Sequence, residues 1–316
     1  MIARRVSANR RSPIRQSVCN DWAALQAALE DAHTRLKVES GENLWFRGVR
    51  EARHALSPSL MRITEGLTTH EHDSIERNLF FEFQARAAEL RARGLTDWEY
   101  LFFGRHYDVP TRVLDWTDTF GVALYFAVEG WSQRADLGQT VPKDRLPAVW
   151  IVNPYHLNER NFEERDITLP KYLGWFRGRY WDFGELLAEG FNWSWRRPVA
   201  IYPAQINDRV RAQRGWFTIH GDDRRPLDEQ SPQFLSKIIL TPACVENVRA
   251  LLHLFGLHRF SIYTDLGNLA LWISEANSDL AKIFRGAKRP HRQTVGAKPL
   301  LGKRPSKGHS SRARSR

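Results

Sequence analysis

The chain has 316 residues, 42% hydrophobic and 12% aromatic, with two cysteines and a formal net charge of +11. That is enough apolar content for a large core, while no apolar run approaches the ~20 residues of a bilayer crossing. Cys19 and Cys244 form neither a CxxC nor a Cys/His cluster, which argues against a disulfide scaffold or a cysteine zinc site and fits a reducing cytoplasm. The charge sits at the ends: residues 282–316 hold 12 Lys/Arg and residues 1–15 hold 5 Arg, both without acids, leaving a net −6 for residues 16–281. The folded part is therefore not expected to be a generally basic nucleic-acid binder.

Residues 1–18 read as a disordered basic arm with no hydrophobic region of a secretory signal. Asp21 caps a helix to about Val38, with Trp22, Leu25, Leu29 and Leu36 on one face. Residues 43–48 read as a short strand ended by glycine. His70 to Arg93 is a long amphipathic helix stopped at Gly94. Thr96 and Glu99 make a capping box for the next helix, which ends at Asp108-Val109-Pro110. Thr117–Trp131 reads as a buried helix.

The second half reads mostly as strands, at residues 148–152, 198–202, 215–220 and 234–240. A helix from about Val245 to Phe255 follows. Residues 261–263 lead into a final helix from Asp265 to about Ala276. Helices mainly in the N-terminal half and a mixed or antiparallel sheet mainly in the C-terminal half give the class α+β. Residues 19–281 are expected to form a single domain. Residues 155–197 read as an aromatic-rich insertion filling a subsidiary core, and 282–316 as a disordered basic tail.

Several polar residues have two open roles. Arg47, beside Phe46 and Gly48 at a strand end, either grips a phosphate in fork geometry or pairs with Asp115 or a glutamate to hold the fold. Gly48 lets a ligand or another backbone approach closely. His106 either titrates and donates to a ligand or satisfies free carbonyls at a helix end. Arg112 and Asp115, three apart around a turn, either pair with each other or hold phosphate and ribose. His70-Glu71-His72-Asp73 opens a helix where acids are expected, and no metal site is assigned.

Leu44-Trp45-Phe46-Arg47-Gly48 with Leu56-Ser57-Pro58-Ser59-Leu60, and Arg105-His106-Tyr107-Asp108-Val109-Pro110-Thr111-Arg112-Val113-Leu114-Asp115-Trp116-Thr117, resemble the FRG-domain family. Gln213-Arg214-Gly215-Trp216-Phe217-Thr218 is a weaker third match. Arg105 stands where the family usually has glutamine, and Asp108 where it usually has glycine. The arrangement is also similar to ADP-ribosyltransferase-like domains. That resemblance implies an NAD-binding or NAD-consuming enzyme, an ADP-ribosyltransferase or NAD glycohydrolase of the kind found in bacterial toxins and defence effectors.

It implies a catalytic set of Arg47, His106 and Gln213. Phe46, Gly48, Tyr107, Arg112 and Asp115 would contact the cofactor, with Tyr107 stacking on nicotinamide and Arg112 on phosphate. A macromolecular acceptor would complete a transfer. The alternative is a non-enzymatic protein that binds nucleic acid through Lys282–Arg316.

Overall fold

The computed structural model describes residues 14–90, 94–131, 141–176, 178–190, 195–203 and 208–286. The chain divides into two compact units, Met1–Trp272 and Ile273–Arg316, and the candidate site lies in the first. The elements in order are β1 (Arg15–Cys19), α1 (Trp22–Arg35), β2 (Trp45–Val49), α2 (Ser59–Ile63), α3 (Thr69–Glu89), α4 (Asp97–His106), β3 (Val113–Thr117) and α5 (Phe120–Val128). Next come β4 (Ala148–Val152), α6 (Pro154–Asn161), α7 (Pro170–Leu173), the short pair β5 (Trp175–Phe176) and β6 (Arg179–Tyr180), α8 (Phe183–Ala188) and β7 (Val199–Ile201). The last are α9 (Asp208–Ala212), β8 (Gly215–Ile219), α10 (Leu227–Gln230), β9 (Leu235–Leu240), α11 (Pro242–Leu254), α12 (Arg259–Ile262) and α13 (Leu266–Gly286).

Seven strands form one sheet in the order β1-β9-β4-β2-β3-β8-β7. β1 runs parallel to β9 and the other neighbours are antiparallel, so the sheet is mixed and the class is α+β. Every residue of β4 and of β9 is buried. That explains the continuous apolar run of β4, since a strand covered on both faces loses the alternation of a one-sided sheet.

One core joins β2, β4 and β9 to α1, α5 and α11. On α11, Cys244, Val245, Val248 and Leu252 are buried at helical spacing, each large aliphatic contributing about 1.5–3 kcal/mol by leaving water. A second core gathers α3, α4 and α8 against β7 and β8 around Phe80, Trp98, Phe102 and Phe183. Thr96 caps α4 and Glu99 returns to the Thr96 backbone, as the sequence indicates. An equivalent box, Thr68 with Glu71, opens α3 one residue before the expected start.

Four expectations change. β1 lies inside the stretch assigned to the disordered arm. Its Arg-Gln-Ser-Val-Cys sequence shows no apolar alternation, and it is ordered by pairing along Ser236–Leu240. The helix expected from Thr117 begins at Phe120, because Val113–Thr117 pairs with Gly215–Ile219 as β3. The last helix runs ten residues past its expected end, to Gly286. Finally, residues 155–197 build α6, α7, the β5–β6 pair and α8.

In that segment Leu173, Phe183, Leu186, Leu187 and Trp195 enter the second core, while Tyr172, Trp175 and Tyr180 stay exposed. The arm before residue 14 and the tail after residue 286 lie outside the described residues. No helix among the described residues is long and apolar enough to cross a membrane.

Candidate functional site

The Phe-Arg-Gly segment is β2, and its three residues do three different things. Phe46 is buried and packs edge-on against Phe120 at the start of α5, with ring centroids 5.2 Å apart. A Cβ on Gly48 would stand 2.0 Å from the Ala123 carbonyl oxygen and 2.6 Å from the Ala127 nitrogen. Only glycine lets α5 lie this close to the strand. The close approach that this glycine permits is therefore that of another backbone. Arg47, between them, turns to β3: its Nη1 donates to the Asp115 carbonyl at 2.6 Å and stands 3.5 Å from the Asp115 carboxylate.

Asp115 is gripped from a second side. Arg105 at the end of α4 donates through Nε and Nη2 to its carboxylate, the closest contact being 2.6 Å. This bidentate fork is the strong form of the ion pair. Burial alone would push the Asp115 pKa up, but Arg105 and then Arg47 outweigh it and hold the carboxyl below its ordinary range. Burial lowers the Arg47 pKa; Asp115 opposes this, while Arg105 and Arg62 add to it. Two guanidiniums thus share one carboxylate, with the Arg62 guanidinium within electrostatic reach.

The position of α4 is fixed by the start of α8. Asp182 accepts from the Asp97 and Trp98 backbone N–H groups at 3.0 and 3.2 Å. Asp97 in return accepts from the Gly184 N–H at 3.0 Å. Each helix N-terminus supplies the carboxylate that satisfies the other's free N–H groups. A Cβ on Gly184 would meet the Asp97 carboxylate at 2.4 Å, so glycine is required for this crossed cap. Asp108 just after α4 has φ +61°. This is a left-handed turn, which Asp tolerates better than most residues.

These elements enclose a cleft of about 290 Å³. Phe46, Arg47, Gly48, His106, Asp115 and Gln213 all line it, as do Arg50, Arg105, Glu129, Arg209 and Tyr263. Phe126, Trp116, Phe102 and Phe217 add aromatic walls. Glu129, which caps the end of α5, accepts from Arg50 at 3.0 Å, Tyr263 at 3.3 Å and Tyr125 at 3.4 Å. Burial, then Glu129, push the Tyr263 hydroxyl up to about 12, so it remains a donor at neutral pH. The Arg209 guanidinium lies 4.7 Å over the Tyr263 ring. Burial and then Arg209 lower the His106 pKa against the opposing pull of Asp108, Asp265 and Asp115. Its imidazole is therefore neutral at pH 7, offering one donor and one acceptor.

Gln213 precedes β8 at the end of α9 rather than sitting on a late strand, and its amide donates to the Ile262 carbonyl at 3.3 Å. Two residues of the expected set are elsewhere. Tyr107 is 61% exposed, packs edge-on against Phe103 and His106, and is not part of the cleft lining. Arg112 is 1% exposed and is taken up by structure. It forks onto both oxygens of Glu76 and donates to the His220 and Gly221 carbonyls at 2.8 and 3.2 Å. Those donors are directed to protein groups.

Arg50, Glu129, Arg209 and Tyr263 were missed in the sequence, as was Arg105 as an active partner of Asp115. The only local hint was Tyr125 four residues before Glu129. Among the described residues no group of three His, Cys, Asp or Glu is placed to hold a metal ion.

Beyond Arg47, Gly48 and Arg50 the cleft continues into an open trough of about 1600 Å³. Residues 42–136 match the family model of the FRG domain. The match takes in Phe46-Arg47-Gly48 and the Arg105–Thr117 segment and stops short of Gln213. No curated protein and no solved structure gives a significant match to the chain.

Proposed function

We propose that this chain, which carries an FRG domain across residues 42–136, binds NAD or a closely related dinucleotide in the cleft and cleaves it at the nicotinamide bond. The observation that carries this is the surplus of cations at the head of the cleft, where Arg47 and Arg105 share the single carboxylate of Asp115. Such a surplus suits a ligand that brings its own negative charge, and guanidiniums match phosphate geometry. The aromatic side chains of Phe126 and Tyr263 suit a flat ring. The cleft volume of about 290 Å³ lies near the lower limit of small-molecule pockets. It suits the nicotinamide riboside half, with the pyrophosphate at the Arg47 rim.

Breaking the glycosidic bond develops positive charge on the ribose, and a fixed carboxylate lowers that barrier. Glu129, held by Arg50 and Tyr263, fits this role better than Gln213, whose amide is directed to a backbone carbonyl. His106, neutral and beside Asp108 and Arg209, is suited to bind a ribose hydroxyl or to accept a proton from an attacking water or acceptor. In hydrolysis water supplies the new bond to the ribose carbon, and nicotinamide leaves with the electron pair of the broken bond.

The test is nicotinamide release from NAD by the purified chain, alone and with cell extract as acceptor. Arg47→Ala and Glu129→Gln should each reduce release by about 10²-fold or more, the usual scale for a lost electrostatic partner in a transition state. Saturable NAD binding without release would reduce the assignment to a dinucleotide-binding module. Absence of both would refute it.

A further inference from the structure

α13 spans 21 residues, Leu266–Gly286. Near its start one side is held by the fold: Trp272 stacks on His258 with ring centroids 4.5 Å apart, and Asn268 accepts from Arg259 at 3.3 Å. A different side is bare. Leu266 and Ile273 are seven residues and so two turns apart, which places them on one line along the helix. They are 83% and 46% exposed. The sequence carries the same apolar spacing on to Leu280, Ile283 and Phe284. Ser274, Glu275 and Ser278, off this line, are polar and exposed. No helix among the described residues, α13 included, is long and apolar enough to cross a bilayer. An apolar stripe on such a helix is the form of one that lies in a membrane surface.

We propose that α13 and the residues after it bind the surface of an anionic lipid bilayer. The charges of the helix itself cancel, Glu275 and Asp279 against Lys282 and Arg285, so its stripe supplies only the apolar half of the contact. The attraction comes from the sequence that follows directly. Ten of the 12 Lys/Arg of residues 282–316 lie after the helix, with no acid among them. An apolar helix face and an adjoining basic cluster are together the two signals that stable surface anchoring requires.

Two other occupants fit less well. A second copy pairing in parallel along the same stripe would bring two such basic segments side by side. Nucleic acid would satisfy the basic segment but leave Leu266 and Ile273 in water.

Vesicle binding needs no dinucleotide, so its outcome stands apart from that of nicotinamide release. The full chain is sedimented with vesicles of phosphatidylcholine alone and of phosphatidylcholine with about 30% phosphatidylserine, at ~100 mM salt and above. It should partition at least about tenfold more strongly to the anionic vesicles, and this preference should fall as salt rises. Leu266→Gln/Ile273→Gln changes two exposed side chains of the stripe and leaves every cation in place. It should lose at least about tenfold in binding to the anionic vesicles, with unchanged affinity for a fluorescein-labelled DNA duplex. Lys288→Gln/Arg289→Gln/Arg292→Gln should weaken binding to the same vesicles and flatten its salt dependence.

A thermal midpoint equal to that of the unaltered chain certifies each variant as folded. Unchanged vesicle binding by the folded Leu266→Gln/Ile273→Gln variant would overturn the proposal and leave the basic segment as a general binder of polyanions, nucleic acid included. Equal binding to neutral and anionic vesicles would also overturn it. So would a dimer in sedimentation velocity that Leu266→Gln/Ile273→Gln dissolves, which would give the stripe to a second copy.

Discussion

Arg112 is the position where a site motif and a buried structural pair make opposite predictions. Replacing it by leucine removes two charge-assisted hydrogen bonds to Glu76 and one donor each to the His220 and Gly221 carbonyls. Glu76 is 4% exposed, so its carboxylate is left in the interior without its fork. Breaking a buried pair from one side costs about 3–5 kcal/mol, a large share of the ~5–15 kcal/mol that holds an ordinary domain together. With ~2–4 °C of melting temperature per kcal/mol for a chain of this size, Arg112→Leu should melt about 10 °C or more lower.

Arg112→Leu/Glu76→Leu removes both charges and should regain most of that loss, since an apolar pair of similar volume is often neutral. The assay is urea unfolding of the native chain, both single variants and the double variant, read as a double-mutant cycle. Arg112→Leu within about 0.5 kcal/mol of the native chain, combined with lost dinucleotide binding, would refute the structural assignment and return Arg112 to the ligand.

Other outcomes follow from the same geometry. Gly48→Ala should give little folded protein or lose about 3 kcal/mol or more in urea unfolding, because its Cβ meets the rigid α5 backbone at 2.0 Å. Asp108→Gly should raise the melting temperature slightly, by up to about 1 kcal/mol of relieved left-handed strain, whereas Asp108→Val should lower it. His72 and His220 are buried with pKa values lowered to about 4 and about 3, mainly by burial and then by Arg112. Their folded values lie below the ordinary ~6.5, so the unfolded chain takes up protons first as the pH falls. Stability is complete above pH ~6.5 and should decline by about 1.4 kcal/mol per pH unit per histidine down to pH ~4. Unfolding of His220→Leu across that range should show a shallower decline, and an unchanged slope would remove His220 from the account.

The parts of the site legible in sequence are those whose chemistry is local. Phe46-Arg47-Gly48 is recognisable because a small residue beside two bulky ones on one strand implies close packing, and Asp115 is one of the partners the sequence offers Arg47. Thr96 and Glu99 announce a helix start by spacing alone. Glu129, Arg209 and Tyr263 were not legible. They come from the ends of α5, α9 and α12, and only tertiary packing brings them around one cleft. Arg112 shows the opposite difficulty: a guanidinium in a motif looks the same whether it points to a ligand or to Glu76. β1 was missed because an edge strand with little burial carries no apolar alternation to detect.

The sheet order sets a schedule for synthesis. Among the described residues β1 lies at one edge of the sheet with β9 as its neighbour, whose pairing residues are Ser236–Leu240. At about 5–20 residues per second on the ribosome, β1 waits roughly 10–45 s after its own emergence before that partner exists. The segment 42–136, which contains the family motifs, includes β2 and β3 but neither β4 nor β8, the strands that flank them. The chain must therefore be carried as a whole before its signature can fold. Nascent protein stalled before residue 235 should expose the unpaired edge of β4 and recruit chaperones, making release of the C-terminal half the step that commits the molecule to its native state.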